Sequence, residues 1–156
     1  MTEPNLVGDP ADIAILKKSG KVISITVHWD GCQEKVGQML LLHYTNQSKV
    51  EKLVSLGDLS ELKDEVSAPS GQRHDFNHPF PHVTIAYFRD HKEAWKDCKP
   101  LSYPSEEEFW HHSLVGNSYA YLFKDGHWWF QDRRFPLASG PIPLKQSMTV
   151  CEANTH

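Results

Sequence analysis

The chain has 156 residues, 39% hydrophobic and 23% charged, a balance that fits one globular domain and excludes a chain disordered as a whole. Its net charge of −4 argues against a broad grip on phosphate backbones, so nucleic acid is a disfavoured partner. Cys32, Cys98 and Cys151 have no CxxC spacing, the opening MTEPNLVGDP has no leader-like pattern, and no apolar run reaches the roughly 18 residues of a membrane span. The expectation is a cytoplasmic chain with no disulfide framework, no zinc ribbon and no membrane partner.

In chain order, residues 1–10 read as a flexible arm and 11–135 as one α+β domain. Residues 13–16 and 22–28 flank the turn cluster Lys17-Lys18-Ser19-Gly20, which predicts a β-hairpin. Ile23, Ile25 and Val27 alternate with Ser24, Thr26 and His28, so one face of the second strand is apolar and His28 lies on the other. Asp30 stands at the expected N-cap of a helix over about 33–44, in which Val36, Met39, Leu40 and His43 follow at helical spacing. Thr45-Asn46 interrupts it. Val50, Leu53 and Val54 then mark a second helix that Gly57 can close.

Residues 64–81, rich in Ser, Pro, Gly, His and Asp, predict a loop whose length points to function or mobility. Alternation over 83–88 predicts a third strand ending at Arg89-Asp90. A linker through Pro100 and Pro104 follows, and Ser105 with Glu106, Glu107 and Glu108 opens a short helix. Asp125-Gly126 between the aromatic runs 119–124 and 127–131 predicts a hairpin, because a type I′ turn needs positive φ at both centres. Residues 136–156, with Pro136, Pro141 and Pro143, read as a tail. Together these elements predict a single α+β domain: an antiparallel sheet of about five strands with two to three helices packed on one face.

Several clusters could carry chemistry. His28-Trp29-Asp30-Gly31 gathers an imidazole, an indole and a carboxylate where a strand passes into a helix. Its architectural reading is a capped bend; its functional reading is a stacking face beside hydrogen-bond donors. His82-Val83-Thr84 and His111-His112-Ser113 resemble the paired His-x-Ser/Thr motifs of 2H phosphoesterases, in which two histidines act as acid and base. This predicts an alternative, a phosphodiesterase acting on a nucleotide messenger through His82 and His111. His74, Asp75, His78 and His82 fall within nine residues, but Pro79 and Pro81 oppose the helix that would align them on a metal. Cys32, near a helix start, is a possible nucleophile with His28 as base. Trp110, Trp128, Trp129, Phe130 and Phe135 concentrate aromatic surface at the last hairpin, where Trp128 and Trp129 must face opposite ways. No cofactor or metal site is expected.

The run His28-Trp29-Asp30-Gly31, Val36-Gly37, Leu40-Leu41, Tyr44-Thr45, Lys49-Val50, Leu53 and Leu56-Gly57-Asp58-Leu59-Ser60 resembles a group of small bacteriophage and prophage proteins. Ala86-Tyr87, Arg89-Asp90 and the stretch from Tyr121 to Trp128 extend the likeness. This chain departs from the pattern at Cys32-Gln33, where Tyr-Pro is usual, and at His91-Lys92, where Arg-Gly is usual. The resemblance implies a phage or mobile-element accessory protein in the bacterial cytoplasm. Binding is favoured over catalysis, with a host protein or nucleotide ligand as partner, possible roles being a counter-defence inhibitor or a nucleotide-signal binder. The expected binding residues are His28, Trp29, Asp30, Tyr87, Arg89 and Asp90, the two groups meeting at one end of the sheet.

Overall fold

The structure, a computed structural model, describes residues 9–112, 117–134 and 140–153. Strands β1 (Ala11–Leu16) and β2 (Val22–Val27) form the expected antiparallel hairpin. A π-helical turn (Gln33–Gly37) runs into α1 (Gln38–His43), and α2 (Gln47–Ser55) follows. The Asn46 side chain accepts from Lys49 N at the start of α2, and Gly57, at φ +81°, closes it. The chain continues through β3 (Leu59–Glu61), β4 (Ile85–Ala86), α3 (Tyr87–His91), α4 (Trp95–Cys98) and β5 (Leu101–Tyr103). It ends with α5 (Glu106–His112), β6 (Tyr119–Lys124), β7 (His127–Asp132), β8 (Ile142–Pro143) and α6 (Leu144–Ala153). Ser105 Oγ caps α5 by accepting from Glu108 N. Asp125 (φ +52°) and Gly126 (φ +81°) make the tight β6–β7 turn that their sequence demands.

The α+β class is as expected, but the sheet is mixed and larger than five strands. Its order among the described residues is β4-β3-β2-β1-β6-β7-β8, with β5 also on β2. β1 pairs parallel with β6, and β2 parallel with β3. The central strand is therefore buried on both faces: Ile13 and Ile15 face one side, Ala14 the other, and all three are fully buried. On the first side Leu40, Tyr44, Val50, Leu53 and Leu144, from α1, its end, α2 and α6, cover Ile13, Ile15, Ile25, Val27, Tyr121 and Phe123. On the second, Phe109 of α5 covers Ala14, Val22, Ala120 and Leu122. Helices thus cover both faces, not one.

Three local expectations also change. The strand expected over 83–88 shrinks to Ile85–Ala86, because the Asp90 carboxylate accepts from Ala86 N at 2.7 Å and draws the next residues into α3. Asp30 is not an N-cap: its φ is +56°, the cap position is Cys32, and no side chain bonds there. The segment read as a tail contains β8, paired with β7, and α6, anchored by buried Leu144. No helix among the described residues is long and apolar enough to cross a membrane.

One buried ionisable group gives the fold a pH dependence. Asp12, on the second face, accepts from Asn117 Nδ2 at 2.6 Å and lies 3.4 Å from Thr26 Oγ1. Burial raises its carboxyl from an ordinary 3.8 to about 6, against the opposing pull of Asn117, Arg133 and Thr26, with Asp58 adding a smaller upward push. A carboxyl whose folded value is raised stabilises the fold fully below the unfolded value and loses that contribution as pH rises through the folded value. Wild type should therefore lose up to roughly 3 kcal/mol between about pH 4 and 7 from this group. Asp12→Asn should remove that slope, as read by urea denaturation at several pH values across the window. Equal slopes in both proteins would acquit Asp12.

Candidate functional site

The corner begins where β2 ends. His28 N–H donates to Leu59 O at 3.1 Å, extending the pairing with β3 by one bond. The left-handed backbone of Asp30 then reverses the chain. Gly31 closes the turn against the start of β1: its N–H donates to Asp9 O at 2.8 Å, and its carbonyl accepts from Tyr121 Oη at 2.6 Å. A Cβ on Gly31 would lie 2.4 Å from Asp9 O, so this glycine serves close approach.

Facing the corner is α3, held by Tyr87 N–H donating to Asp58 O at 3.1 Å. The Tyr87 ring packs on His28 at 4.9 Å between centroids and on His91 at 4.9 Å, and His91 packs on Phe76 at 4.1 Å. This is a continuous row of four rings. Burial raises the Tyr87 phenol above its ordinary range, while the neighbouring Trp29 and Ser60 act in the opposite direction. Trp29, beside this row, is 43% exposed.

The structure brings the rings of His28 and Tyr87 into contact, with Trp29 and Asp30 following His28 along the corner. Arg89 and Asp90 lie on the same short helix but point inward. Arg89 donates to Val66 O and Thr84 O, both at 2.7 Å, and pairs with Asp90 through Nε and Nη2 at 2.9 Å. The Asp90 side chain is fully buried. Both residues fasten the loop 64–84 beneath the corner and offer little to a ligand.

Beside the corner opens a groove of about 470 Å³, lined by Trp29 and Asp30, by Glu34, Lys35, Met39, Leu42 and His43 of the first helical segment, and by Glu61, Lys63, Asp64 and His82. Its ionisable lining has four carboxylates against two lysines, a net −2 with the two histidines neutral. Two of its residues, Asp30 and His82, hold left-handed backbone (φ +56° and +64°). Lys63 Nζ stands 3.8 Å from Glu61 Oε2, and His82 Nδ1 stands 3.8 Å from Asp64 Oδ2, both too long for hydrogen bonds. Sequence reasoning missed Glu61, Lys63 and Asp64 here, since a short strand and a loop carry no motif. A second, apolar cleft lies between Leu56, Phe88 and Trp95, where Phe88 and Trp95 meet edge to face at 5.0 Å.

The other candidates are not assembled as their motifs suggest. His82 lines the groove on the α1 side of the sheet, whereas His111 belongs to α5, which packs on the opposite face. Thr84 is fully buried, its hydroxyl bonded to the Lys63 main chain and to Tyr44 Oη, so it is closed to a phosphate. Ser113 lies outside the described residues. The His74 side chain is 5% exposed: Nδ1 accepts from Phe80 N at 2.9 Å, which leaves Nε2 to donate to Thr84 O at 3.0 Å. Asp75 instead takes bonds from Arg73 and from His78 N. No three metal-ligating side chains converge among the described residues.

Cys32 is half-buried against the core. At the last hairpin Trp128 is buried, its indole donating to Tyr44 O at 2.8 Å, while half-buried Trp129 lies under Lys124 Nζ at 4.9 Å. Trp110 donates to Glu106, Phe130 is buried, and Phe135 lies outside the described residues. Among the described residues the large exposed aromatics are Trp29, Phe76, Phe88 and Trp95. Comparison with family models, with curated proteins and with solved structures finds no match.

Proposed function

We propose that this chain is a phage-type accessory protein that acts in the bacterial cytoplasm by non-covalent binding of a host factor, through Trp29, Tyr87 and the groove beside them. The observation that carries the reading is the corner itself: Trp29, 43% exposed, lines a groove next to the packed rings of His28 and Tyr87. A large exposed aromatic on a structured corner beside a groove has the size and placement of an interface anchor. A counter-defence role, blocking a host protein or sequestering its nucleotide signal, is the use to which the sequence resemblance points. The phosphodiesterase alternative gains no support from imidazoles on opposite faces of a sheet.

Trp29→Ala is expected to weaken partner binding at least about tenfold, the loss typical of an anchor residue. Its melting temperature should stay within a few degrees of wild type, because much of the ring is already in water. The check is capture of a bacterial protein by wild type and not by folded Trp29→Ala, alongside incubation with cyclic nucleotides read by chromatography. Turnover by wild type that disappears in folded His82→Ala would overturn the binding reading in favour of catalysis.

A further inference from the structure

We propose that the second face of the sheet carries a site for a free amino acid, whose carboxylate pairs with the Arg133 guanidinium and whose ammonium sits between Gln131 and Asp12. The site lies on the face opposite the Trp29 groove and stands independently of the binding reading above.

The observation that carries it is an arginine turned the wrong way round. Arginine ordinarily lays its stem on the protein and keeps its head in water. Arg133 as a residue is only half-buried, yet its Nε, Nη1 and Nη2 are all buried and have no hydrogen-bond partner among the described residues. Its main-chain N–H donates to Ser118 O at 2.8 Å, continuing the β6–β7 pairing by one bond, so Gln131 faces the same side two residues earlier. There Gln131 Oε1 is also buried and also without a donor. Buried polar groups are as a rule hydrogen-bonded, and a charged exception is the costliest kind.

Strand register supplies the third member. Gln131 pairs with Ala120, Ala120 with Asp12 and Asp12 with Thr26, one row across β7, β6, β1 and β2. Asp12 and Gln131 thus stand two strands apart, on the order of 10 Å between Cα atoms, with the short Ala120 side chain between them. Asn117 Nδ2 and Thr26 Oγ1 both meet Oδ1 of Asp12, and Oδ2 takes no hydrogen bond among the described residues. Burial lowers the Arg133 guanidinium's hold on its proton, opposed by the nearby charge of Asp12, although the two form no ion pair among the described residues. The Trp110 ring covers one side of the guanidinium at 6.0 Å.

These groups ask for one kind of molecule. The guanidinium needs acceptors in its own plane, which a carboxylate supplies with two parallel bonds. Gln131 Oε1 and Asp12 Oδ2 need donors, and an ammonium carries three. A phosphate meets only the first demand and brings further negative charge toward Asp12. An amino acid meets both and adds no net charge. Thr26, Asn117 and Gln131 are half-buried, which puts the site at the rim of the covered face.

The test melts the whole chain with each standard amino acid in turn. Those that raise the midpoint are titrated into ¹⁵N-labelled protein, with the Arg133 Nε–H resonance, identified by its absence in Arg133→Met, as reporter. At least one amino acid is expected to raise the midpoint and shift that resonance saturably. Its N-acetyl derivative and its carboxamide, each lacking one charge, should bind at least about tenfold more weakly, and Gln131→Leu should weaken binding about two- to tenfold. Arg133→Met should abolish binding yet raise the midpoint of the free chain by a few degrees, because an apolar side chain replaces a buried charge without a partner. An arginine with a purely structural role would lower that midpoint instead. No shift of the Arg133 signal with any amino acid, equal binding of acetate, or a lowered midpoint in Arg133→Met would each overturn the proposal. A raised midpoint in Arg133→Met with no amino acid bound by wild type would assign the guanidinium to buried water and overturn it as well. None of these results bears on capture of a partner through Trp29.

Discussion

Asp90→Ala should destabilise the protein by about 3 kcal/mol, with the loss concentrated in the loop beneath the corner. The carboxylate is fully buried and accepts from Ala86 N at 2.7 Å and from Arg89 Nε and Nη2 at 2.9 Å, with His74 Nε2 at 3.5 Å. Truncation leaves a buried N–H without its acceptor and a guanidinium without its counter-charge, and breaking such a pair from one side typically costs about 3–5 kcal/mol. The lower end applies because the Arg89 side chain is 28% exposed and water can screen part of the charge left behind. Arg89 would also lose the partner that orients its bonds to Val66 O and Thr84 O. Hydrogen exchange at Ala86 and Thr84 should therefore accelerate more than exchange in β1 and β6. Asp90→Asn, which keeps one acceptor oxygen, should fall between the two. A denaturation midpoint for Asp90→Ala equal to wild type would show that the buried pair contributes nothing.

The same residue shows where reading the sequence succeeds and where it stops. Features set by their own few residues were legible: the Asp125-Gly126 turn, the Ser105 cap and the Gly57 stop all follow from backbone conformations or hydrogen bonds within a turn of chain. Asp90 was legible as a charge at a strand end. That its carboxylate reaches back to Ala86, ending the strand and starting α3, depends on burial that the local pattern does not encode. Long-range pairing was likewise hidden. β1 lies parallel to β6, about a hundred residues away, and the alternation of Ile13 and Ile15 with Ala14 reads equally well as a strand with one wet face. Helix α6 was missed because it directly follows Pro141 and Pro143, and the packing partners of its core residues Leu144 and Met148 lie in other elements.

The site divides along the same line. The corner was visible because unusual side chains stand together at a strand end, and the expected meeting of His28 and Trp29 with Tyr87 is present. The groove was not, since Glu61, Asp64 and His82 arrive from a short strand and an irregular loop whose course is set by the long-range bonds of Thr84, His74 and Arg89. Arg89 and Asp90 thus bear on the proposed binding surface through the loop they hold in place.

Gly31→Ala should damage both stability and binding, and for a reason different from the usual glycine argument. Nothing at Gly31 requires positive φ; its backbone is instead pressed against the start of β1. A single added methyl would sit 2.4 Å from Asp9 O and 2.8 Å from Ala11 Cβ, with Pro10 C at 3.1 Å. Two of these three contacts are main-chain atoms that cannot rotate away. Ala11 is fully buried and begins the central strand, so the strain is relieved only by moving Gly31 outward. That motion stretches the bond from Gly31 N to Asp9 O and the one from Tyr121 Oη to Gly31 O, both of which seat the corner. Overpacking of this kind costs about 1–3 kcal/mol, and a weakened buried hydrogen bond adds roughly 1 kcal/mol. Because Asp30 and Trp29 immediately precede Gly31, the displacement passes directly to the indole face, so partner binding should fall even where the variant stays folded. Gly37→Ala provides the contrast: its Cβ would meet Leu144 Cδ1 at 3.3 Å and two other side-chain atoms at 3.4 Å, which can shift by a few tenths of an ångström. Denaturation of the two variants side by side, with the Trp29 indole resonance as reporter of the corner, checks the argument. Gly31→Ala as stable as Gly37→Ala, with an unmoved Trp29 signal, would mean that the corner is not seated on β1 in the way its contacts require.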